Sequence, residues 1–181
     1  SLINLTSDGS GFVKNMTLKE LRKYNFGTKE HPSKISTLKE VLQVAPSNKR
    51  ILIELKEEGN VQKYDLKRFY HEIKPFLKKR LWIFSFHGPF IRMLHQNYPT
   101  LKVGICISSM INRSYLNHGF SFQVVSHHLA KETDPHKINF FWTVNKQEDL
   151  NKIKRGYQGN TFGIITDHPT LFISHDDLRE W

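Results

Sequence analysis

The feature that most constrains the fold of this chain is a series of six short apolar segments between residues 51 and 166. Each is rich in Ile, Val, Phe or Trp, the residue types that favour β-strands. Helical or polar connectors separate them, and strands that alternate with helices predict a parallel sheet in an α/β fold. The six predicted strands are 51–55, 81–86, 101–107, 122–126, 138–145 and 162–166.

The connectors carry helix signals. Thr17 is followed three residues later by Glu20, a pattern typical of the capping box that starts a helix. The same pattern recurs where Ser36 or Thr37 would cap a second helix, which Pro46 would end. Further helices are predicted over 63–80, where Pro75 should kink or shorten the helix, over 88–98, over 146–156 and over 169–181.

The chain is strongly basic, with a formal net charge of +10 over 181 residues. This charge predicts an anionic partner, either a phosphate ester, a nucleic acid or an acidic membrane surface, unless the lysines only form a solvated surface. The lysines are scattered and no nucleic-acid-binding motif occurs, so we expect no nucleic-acid partner.

Cys106 is the only cysteine, which excludes an intrachain disulfide, and it is expected to be a small buried hydrophobe.

The first predicted strand ends in a charged pair. Side chains alternate faces along a strand, so Glu54 and Lys56 share one face with Leu52, while Leu55 lies on the other. On an edge strand this pair would be an ordinary solvated salt bridge. In a parallel sheet that is buried on both faces, an acid and a base here are costly unless they bind something.

Motifs at several strand ends occur together in a recognisable order. They are TSDGSGFVKNMTLKEL (6–21), ISTLKEVL (35–42), ILIELK (51–56), IFSF (83–86), FWTVN (141–145) and GIITDHP (163–169). In this order and spacing they resemble the glycerophosphodiester phosphodiesterase family over nearly the whole chain. The most specific combination is IELK upstream of WTVN and TDHP.

The resemblance implies a (β/α)8 TIM barrel, a fold that typically needs about 250 residues. The family's first two strands carry His-Arg-Gly, Glu-x-Asp and His-Asp motifs, and none of these occurs before the first predicted strand at residue 51. We therefore expect residues 1–181 to be a single glycerophosphodiester phosphodiesterase domain that lacks about its N-terminal quarter. The family's general acid and base are histidines of those motifs, so this chain alone is expected to be inactive.

The resemblance also implies roles at the carboxyl ends of the strands, where barrel enzymes place their active sites. Glu54 matches a metal-binding Glu whose carboxylate would hold a divalent metal, Ca²⁺ or Mg²⁺. Lys56 matches a catalytic Lys that would hold a phosphoryl oxygen. Trp142 matches the family's pocket Trp, which would pack on the glycerol moiety or cap the phosphate site, unless it is a plain core aromatic.

Three more residues are candidates for substrate binding. Ser85 and Phe86 end their predicted strand and would either line the pocket or pack in the core. Asp167 ends the last strand and would orient Lys56 or a substrate hydroxyl, or else cap the helix that opens at Pro169.

Other polar residues near the strand ends have more ordinary interpretations. Asn145 would contact substrate or cap the helix that follows it, and capping is the simpler interpretation. His127 and His128 suggest a metal site, but adjacent side chains usually point apart, so a solvated loop is the expectation.

The leading hypothesis is metal-dependent hydrolysis of a glycerophosphodiester to glycerol 3-phosphate and an alcohol, in the full-length protein. The substrate would be a small-molecule or lipid-derived phosphodiester, with peripheral membrane contact as an open alternative. Three other hypotheses remain open: a non-catalytic fragment, a basic binding module, and a phospholipase D-like variant that acts on lipid headgroups. Six barrel strands would also leave two open edges, which favour pairing with another chain or aggregation.

Overall fold

The computed structural model describes residues 2–56, 66–79, 81–117 and 119–173, the side chains of residues 78 and 79 excepted. The predicted final helix lies partly outside this range, and within it Pro169–Leu171 form a single 3-10 turn. The chain divides into two compact units, Ser1–Ala45 with Arg68–Phe76, and Pro46–Lys67 with Leu77–Trp181.

The first unit contains two short helices that begin as the sequence predicts. α1 (Leu18–Leu21) starts from Thr17 and α2 (Leu38–Val44) from Thr37, and both threonines form complete capping boxes with the glutamate three residues on. Thr37, rather than Ser36, is therefore the cap of α2. Each box satisfies two backbone N–H groups that the start of a helix would otherwise leave without a partner.

Glu40 links α1 to α2. The Arg22 guanidinium donates to both of its carboxylate oxygens at 2.7 Å. Hydrogen bonds from the Thr37 backbone, from Arg22 and from the Thr37 hydroxyl lower the pKa of Glu40 from 4.5 to about 2. Because the folded pKa is the lower one, this stabilisation is fully present above about pH 4.5 and is lost as the pH falls toward about 2.

The second unit is built on a six-stranded sheet in which all neighbouring strands are parallel and follow one another in chain order. This confirms the predicted α/β class and the position of every predicted strand. Consecutive parallel strands with helical connections are consistent with part of a TIM barrel. The strands are β1 (Ile51–Glu54), β2 (Leu81–Ser85), β3 (Lys102–Ile107), β4 (Phe122–Ser126), β5 (Asn139–Trp142) and β6 (Gly163–Ile164).

β5 and β6 end earlier than predicted, at Trp142 and Ile164. Beyond them, the Val144 N–H donates to the Ile165 carbonyl at 2.9 Å, and the Ile165 N–H donates to the Phe141 carbonyl at 2.8 Å. These bonds hold the two chain segments together past the last residues of the regular strands. The apolar pattern continues beyond both strand ends, so periodicity alone does not show where the strands stop.

The remaining helices also follow the predicted pattern. α3 (Leu66–Ile73) gives way to a 3-10 segment, Lys74–Lys79, because Pro75 has no N–H to donate and shortens the helix. α4 (Gly88–Asn97) and α5 (Gln147–Gly156) lie within the predicted ranges. Within the described ranges, no helix has the length and apolar content needed to cross a membrane.

The sheet buries side chains on both faces, as parallel sheets do. One face, called the helix face here, buries Ile105, Ile107, Val125 and Phe141 together with Ile153 of α5. The other, called the aromatic face, buries Trp82, Phe84, Cys106, Phe122 and Val124, with Leu52, Phe86, Phe140 and Trp142 packed against them.

Phe122 fills the middle of the aromatic face. Its ring centroid lies 4.9, 6.5 and 5.9 Å from those of Trp82, Phe84 and Phe140. A Cβ atom at Gly104, on the adjacent strand, would lie only 2.5 Å from the Phe122 ring. A glycine at this position is therefore what lets the ring lie against the β3 backbone.

Candidate functional site

The charged pair predicted from the sequence lies at the carboxyl end of β1. Glu54 is the last residue of the strand, and the Lys56 Nζ atom is 3.9 Å from its Oε2 atom. The Lys56 and Glu54 side chains are 65% and 33% exposed, so both are accessible to a ligand. An ammonium group in this position can hold a phosphoryl oxygen.

Glu54 belongs to the aromatic face. It lies opposite Phe84 in the β1–β2 register, and Leu52, two residues earlier, packs in the aromatic cluster. Burial, and then the negative charge of Glu54, raise the pKa of the Cys106 thiol on the same face. Cys106 is therefore a protonated, buried side chain, which confirms the prediction that it acts as a small hydrophobe.

Phe86 and Trp142 form an aromatic wall on the same face as Glu54. Their ring centroids are 5.5 Å apart and the ring planes are nearly perpendicular, at 89°. The Trp142 indole N–H donates to the Val124 carbonyl oxygen at 3.1 Å, which fixes the orientation of the ring. Both side chains are only half-buried, so the structure brings two of the predicted site residues together with apolar surface still accessible.

Ser85 lies on the helix face, opposite to Glu54, and its side chain is buried. The hydroxyl donates to the Leu55 carbonyl at 2.6 Å and accepts from the His87 N–H at 3.0 Å. Ser85 thus ties the segment that carries Lys56 to the end of β2. The geometry suits holding the chain in place rather than lining a pocket.

Asn145 joins the WTVN and TDHP motifs. Its Nδ2 donates to the Asp167 carboxylate at 2.7 Å, and its Oδ1 accepts from the Asp167 N–H at 2.9 Å and from the Thr166 hydroxyl at 3.1 Å. Neither Asn145 nor Asp167 caps a helix: α5 begins after Lys146 and the 3-10 turn after His168, and neither start has a side-chain cap. The capping interpretation of both residues is therefore wrong.

Replacing Asn145 with Ala should lower the free energy of unfolding by about 1–3 kcal/mol, because it leaves the groups around Asp167 without their partner. Urea unfolding followed by tryptophan fluorescence measures this loss. Asn151→Ala is the matched control, since Asn151 is exposed and accepts one bond from a neighbour on the same helix. Equal stability of the two variants would contradict a structural role for the Asn145 bonds.

Asn112 is a site-supporting residue that sequence reasoning missed. Its Nδ2 donates to the Cys106 carbonyl at 2.9 Å and to the Phe86 carbonyl, so it joins the ends of β2 and β3. Its backbone is left-handed, with φ of 62°, a conformation that Asn adopts more readily than most residues. An asparagine in the loop that follows a strand gives no sequence signal for such a long-range bond.

His127 differs from the expected solvated loop residue. Its side chain is only 12% exposed, and its Nε2 lies 3.8 Å from the Asp149 carboxylate. Its Nδ1 lies 3.3 Å from the Trp142 carbonyl oxygen, which is a hydrogen-bond distance if that nitrogen carries the proton. His128 is exposed, and the centroid of its ring lies 4.0 Å from that of His127, with the two ring planes tilted by 42°. His127 therefore contacts the end of β5 and the first turn of α5 rather than lying in a solvated loop.

The residues the structure describes do not fit a complete divalent metal site. In this part of the chain, no three His, Cys, Asp or Glu side chains group closely enough to hold an ion. Glu54 supplies one carboxylate, whereas Ca²⁺ and Mg²⁺ take six or more oxygen ligands, of which proteins usually supply several. Glu54 alone therefore does not define a cation site.

Solved structures share this fold. A phosphodiesterase of Oleispira antarctica, solved in complex with the product sn-glycerol-3-phosphate, superposes with a TM-score of 0.74 at 16% identity, over 99% of this chain and 77% of its own. A glycerophosphodiester phosphodiesterase of Parabacteroides distasonis superposes with a TM-score of 0.64 at 20% identity, over 86% of this chain and 68% of its own.

Sequence relatives agree with the structural ones. A glycerophosphodiester phosphodiesterase of Caldanaerobacter subterraneus subsp. tengcongensis is 28% identical over 190 residues, which cover 95% of this chain and 76% of the relative. Residues 1–171 match the sequence profile of the glycerophosphoryl diester phosphodiesterase family. This match spans the β1 charged pair, the aromatic wall and the Asn145–Asp167 junction, and the chain belongs to the glycerophosphoryl diester phosphodiesterase family.

Proposed function

We propose that this protein is a phosphoric diester hydrolase that converts glycerophosphodiesters to sn-glycerol 3-phosphate and an alcohol. The observation that carries the proposal is the Glu54–Lys56 pair at the carboxyl end of β1, on the face that holds the Phe86–Trp142 wall. Family membership and the glycerol 3-phosphate complex of the Oleispira phosphodiesterase support this choice of substrate.

In this proposal, Lys56 binds a non-bridging oxygen of the phosphodiester. A water molecule attacks phosphorus and the bond from phosphorus to the alcohol oxygen breaks. The hydroxyl group of the water stays on phosphorus, and the other proton of the water is transferred to the oxygen of the departing alcohol. The Lys56 ammonium group stabilises the negative charge that increases on the phosphoryl oxygens during this attack.

The aromatic wall and Asp167 would bind the glycerol moiety. The exposed parts of Phe86 and Trp142 offer apolar surface for the glycerol carbons. One Asp167 oxygen accepts from Asn145, which fixes the carboxylate and leaves its second oxygen to accept from a substrate hydroxyl. Ser85 would act indirectly, by holding the segment that precedes Lys56.

A divalent cation, Ca²⁺ or Mg²⁺, is proposed as the cofactor, with Glu54 as one ligand in a larger set. Bound next to a phosphodiester, such an ion would neutralise negative charge and orient the substrate. The described residues provide no complete ligand set for this ion.

The six strands are proposed to be six of the eight strands of a TIM barrel. Their consecutive parallel order supports this, because a barrel is wound from strands that follow one another in the same way. In such a barrel the carboxyl ends of the strands form the active-site edge, where Glu54 and Lys56 lie.

The proposal is tested by following glycerol 3-phosphate release from glycerophosphocholine, using the protein at its native length. Release that EDTA abolishes and that Ca²⁺ or Mg²⁺ restores is the expected result. Release of glycerol 3-phosphate that continues in the presence of EDTA would contradict the proposed cofactor but would still support the proposed activity. Choline release from lysophosphatidylcholine without any glycerol 3-phosphate would indicate the lipid-headgroup variant, and no hydrolysis of any glycerophosphodiester would overturn the proposal.

A further inference from the structure

A cleft with a volume of about 400 Å³ opens at the amino ends of β1, β2 and β3. This is the edge of the sheet opposite to Glu54 and Lys56, which lie at the carboxyl end of β1. The volume lies within the range of about 300–1,000 Å³ that is typical of small-molecule sites. The cleft is lined by Arg50, Leu77, Leu81, Trp82, Thr100, Leu101 and Lys102.

Two cations in this cleft lie beside Trp82. The Arg50 guanidinium carbon is 4.9 Å from the centroid of the Trp82 ring, a cation–π contact that restrains the arginine. Lys102 is the register partner of Trp82 on the adjacent strand. No lining residue is acidic, and none of the ion pairs formed within the described part of the chain includes Arg50 or Lys102.

The rest of the cleft is largely apolar. Leu81, Leu101 and Trp82 are buried, and Leu77 is half-buried. Small-molecule sites combine such a mainly apolar lining with a few polar groups that orient the ligand. Isolated exposed lysines are usually only solvated, but here two cations meet one apolar surface, and the described residues form no ion pair with either of them.

We propose that this cleft binds a small amphiphilic anion. The charged group of the ligand lies between Arg50 and Lys102, with the Thr100 hydroxyl as a further donor, and its apolar body packs on the leucines. The site is separate from the proposed phosphodiester site because it uses the other end of the same strands.

Calorimetric titration of the 181-residue chain with octyl phosphate, below its micellar concentration, tests the proposal. One-to-one binding of octyl phosphate is expected. Inorganic phosphate lacks the apolar body and 1-octanol lacks the charged group, so each should bind at least tenfold more weakly. Arg50→Gln and Lys102→Gln should each weaken octyl phosphate binding about five- to tenfold. Lys154→Gln, which removes the same charge from an exposed position on α5, should leave the affinity unchanged.

Further measurements show where octyl phosphate binds and distinguish a loss of affinity from a loss of folding. The affinity should be the same in Lys56→Gln and in the presence of excess glycerol 3-phosphate, since both act at the other edge. Arg50→Lys keeps the charge but loses the planar group that lies over Trp82, so it should bind octyl phosphate more tightly than Arg50→Gln and more weakly than the original chain. Unfolding curves establish that each variant is folded.

Several results would overturn the proposal. They are the absence of octyl phosphate binding, equal binding of 1-octanol, an unchanged affinity in both Arg50→Gln and Lys102→Gln, and an equal loss in Lys154→Gln. An equal loss in Lys56→Gln would place the ligand in the phosphodiester site and would also overturn it.

Discussion

Replacing Lys56 with Met is expected to lower kcat/KM for glycerophosphocholine by about a hundredfold. The substitution removes the positive charge that is proposed to face a phosphoryl oxygen, and it keeps a side chain of similar length. Loss of one preorganised group that stabilises developing negative charge typically costs a factor of about 10²–10³ in rate. Steady-state release of glycerol 3-phosphate by the native-length protein provides the measurement.

Stability separates this role from that of a plain salt bridge. Lys56 and Glu54 are 3.9 Å apart and the lysine is mostly exposed, so the pair contributes less than about 1 kcal/mol to folding. We therefore expect Lys56→Met to unfold at nearly the original urea concentration while its activity falls. A parallel loss of stability and activity would support the plain salt bridge instead.

Two control variants complete the Lys56 experiment. Lys154→Met removes the same charge from an exposed position on α5 and should leave kcat/KM within about twofold. Lys56→Arg keeps the charge and should retain more activity than Lys56→Met, although its planar group binds oxygen with different geometry. If Lys56→Met kept more than half of the original activity, the assignment of Lys56 to the phosphoryl oxygen would be wrong.

The sequence predicts the elements of this fold well because their signals are local. The capping boxes join Thr17 and Thr37 to residues three positions away, and both form as expected. The shortening of α3 at Pro75 depends only on a missing N–H group. The strand positions follow from apolar runs with polar boundaries, and these also need no knowledge of distant residues.

The supporting bonds of the candidate site could not be predicted in this way. Ser85 bonds to a carbonyl 30 residues away, Asn112 to one 26 residues away, and Asn145 to a carboxylate 22 residues away. Such bonds depend on how strand ends meet in three dimensions. Their side chains are short polar groups that local patterns assign equally well to caps, turns or pocket walls.

Face assignment illustrates the same limit. Alternation along β1 places Glu54 with Leu52, and the structure agrees. Alternation along β2 also places Ser85 and Phe86 on opposite faces. Alternation is least dependable at the end of a strand, however, and residues at strand ends are often expected to line a pocket. Only the register with Ile105, a residue of the helix face, places Ser85 away from Glu54.

Replacing Phe122 with Ala is expected to lower the free energy of unfolding by about 3–5 kcal/mol. The side chain is fully buried and contacts three other aromatic rings, so truncation leaves a cavity in the middle of the aromatic face. A loss of this size is a large part of the 5–15 kcal/mol that stabilises an ordinary domain. Urea unfolding followed by tryptophan fluorescence measures it, with Phe12→Ala, which truncates a 45% exposed ring, as a nearly neutral control.

The contact between Phe122 and Gly104 provides a sharper test of the same packing. Gly104→Ala should cost about 1–3 kcal/mol, because its Cβ would meet the Phe122 ring at 2.5 Å. In a Phe122→Leu background the shorter side chain leaves room for that methyl group, so Gly104→Ala should cost at least about 0.5 kcal/mol less. If the losses of stability caused by Gly104→Ala and Phe122→Leu were strictly additive, the Phe122 ring would not be what restricts the size of the side chain at position 104. Because Gly104 and Phe122 continue the row that runs from Glu54 through Phe84, such coupling would link core packing to the layer that positions the Glu54 carboxylate.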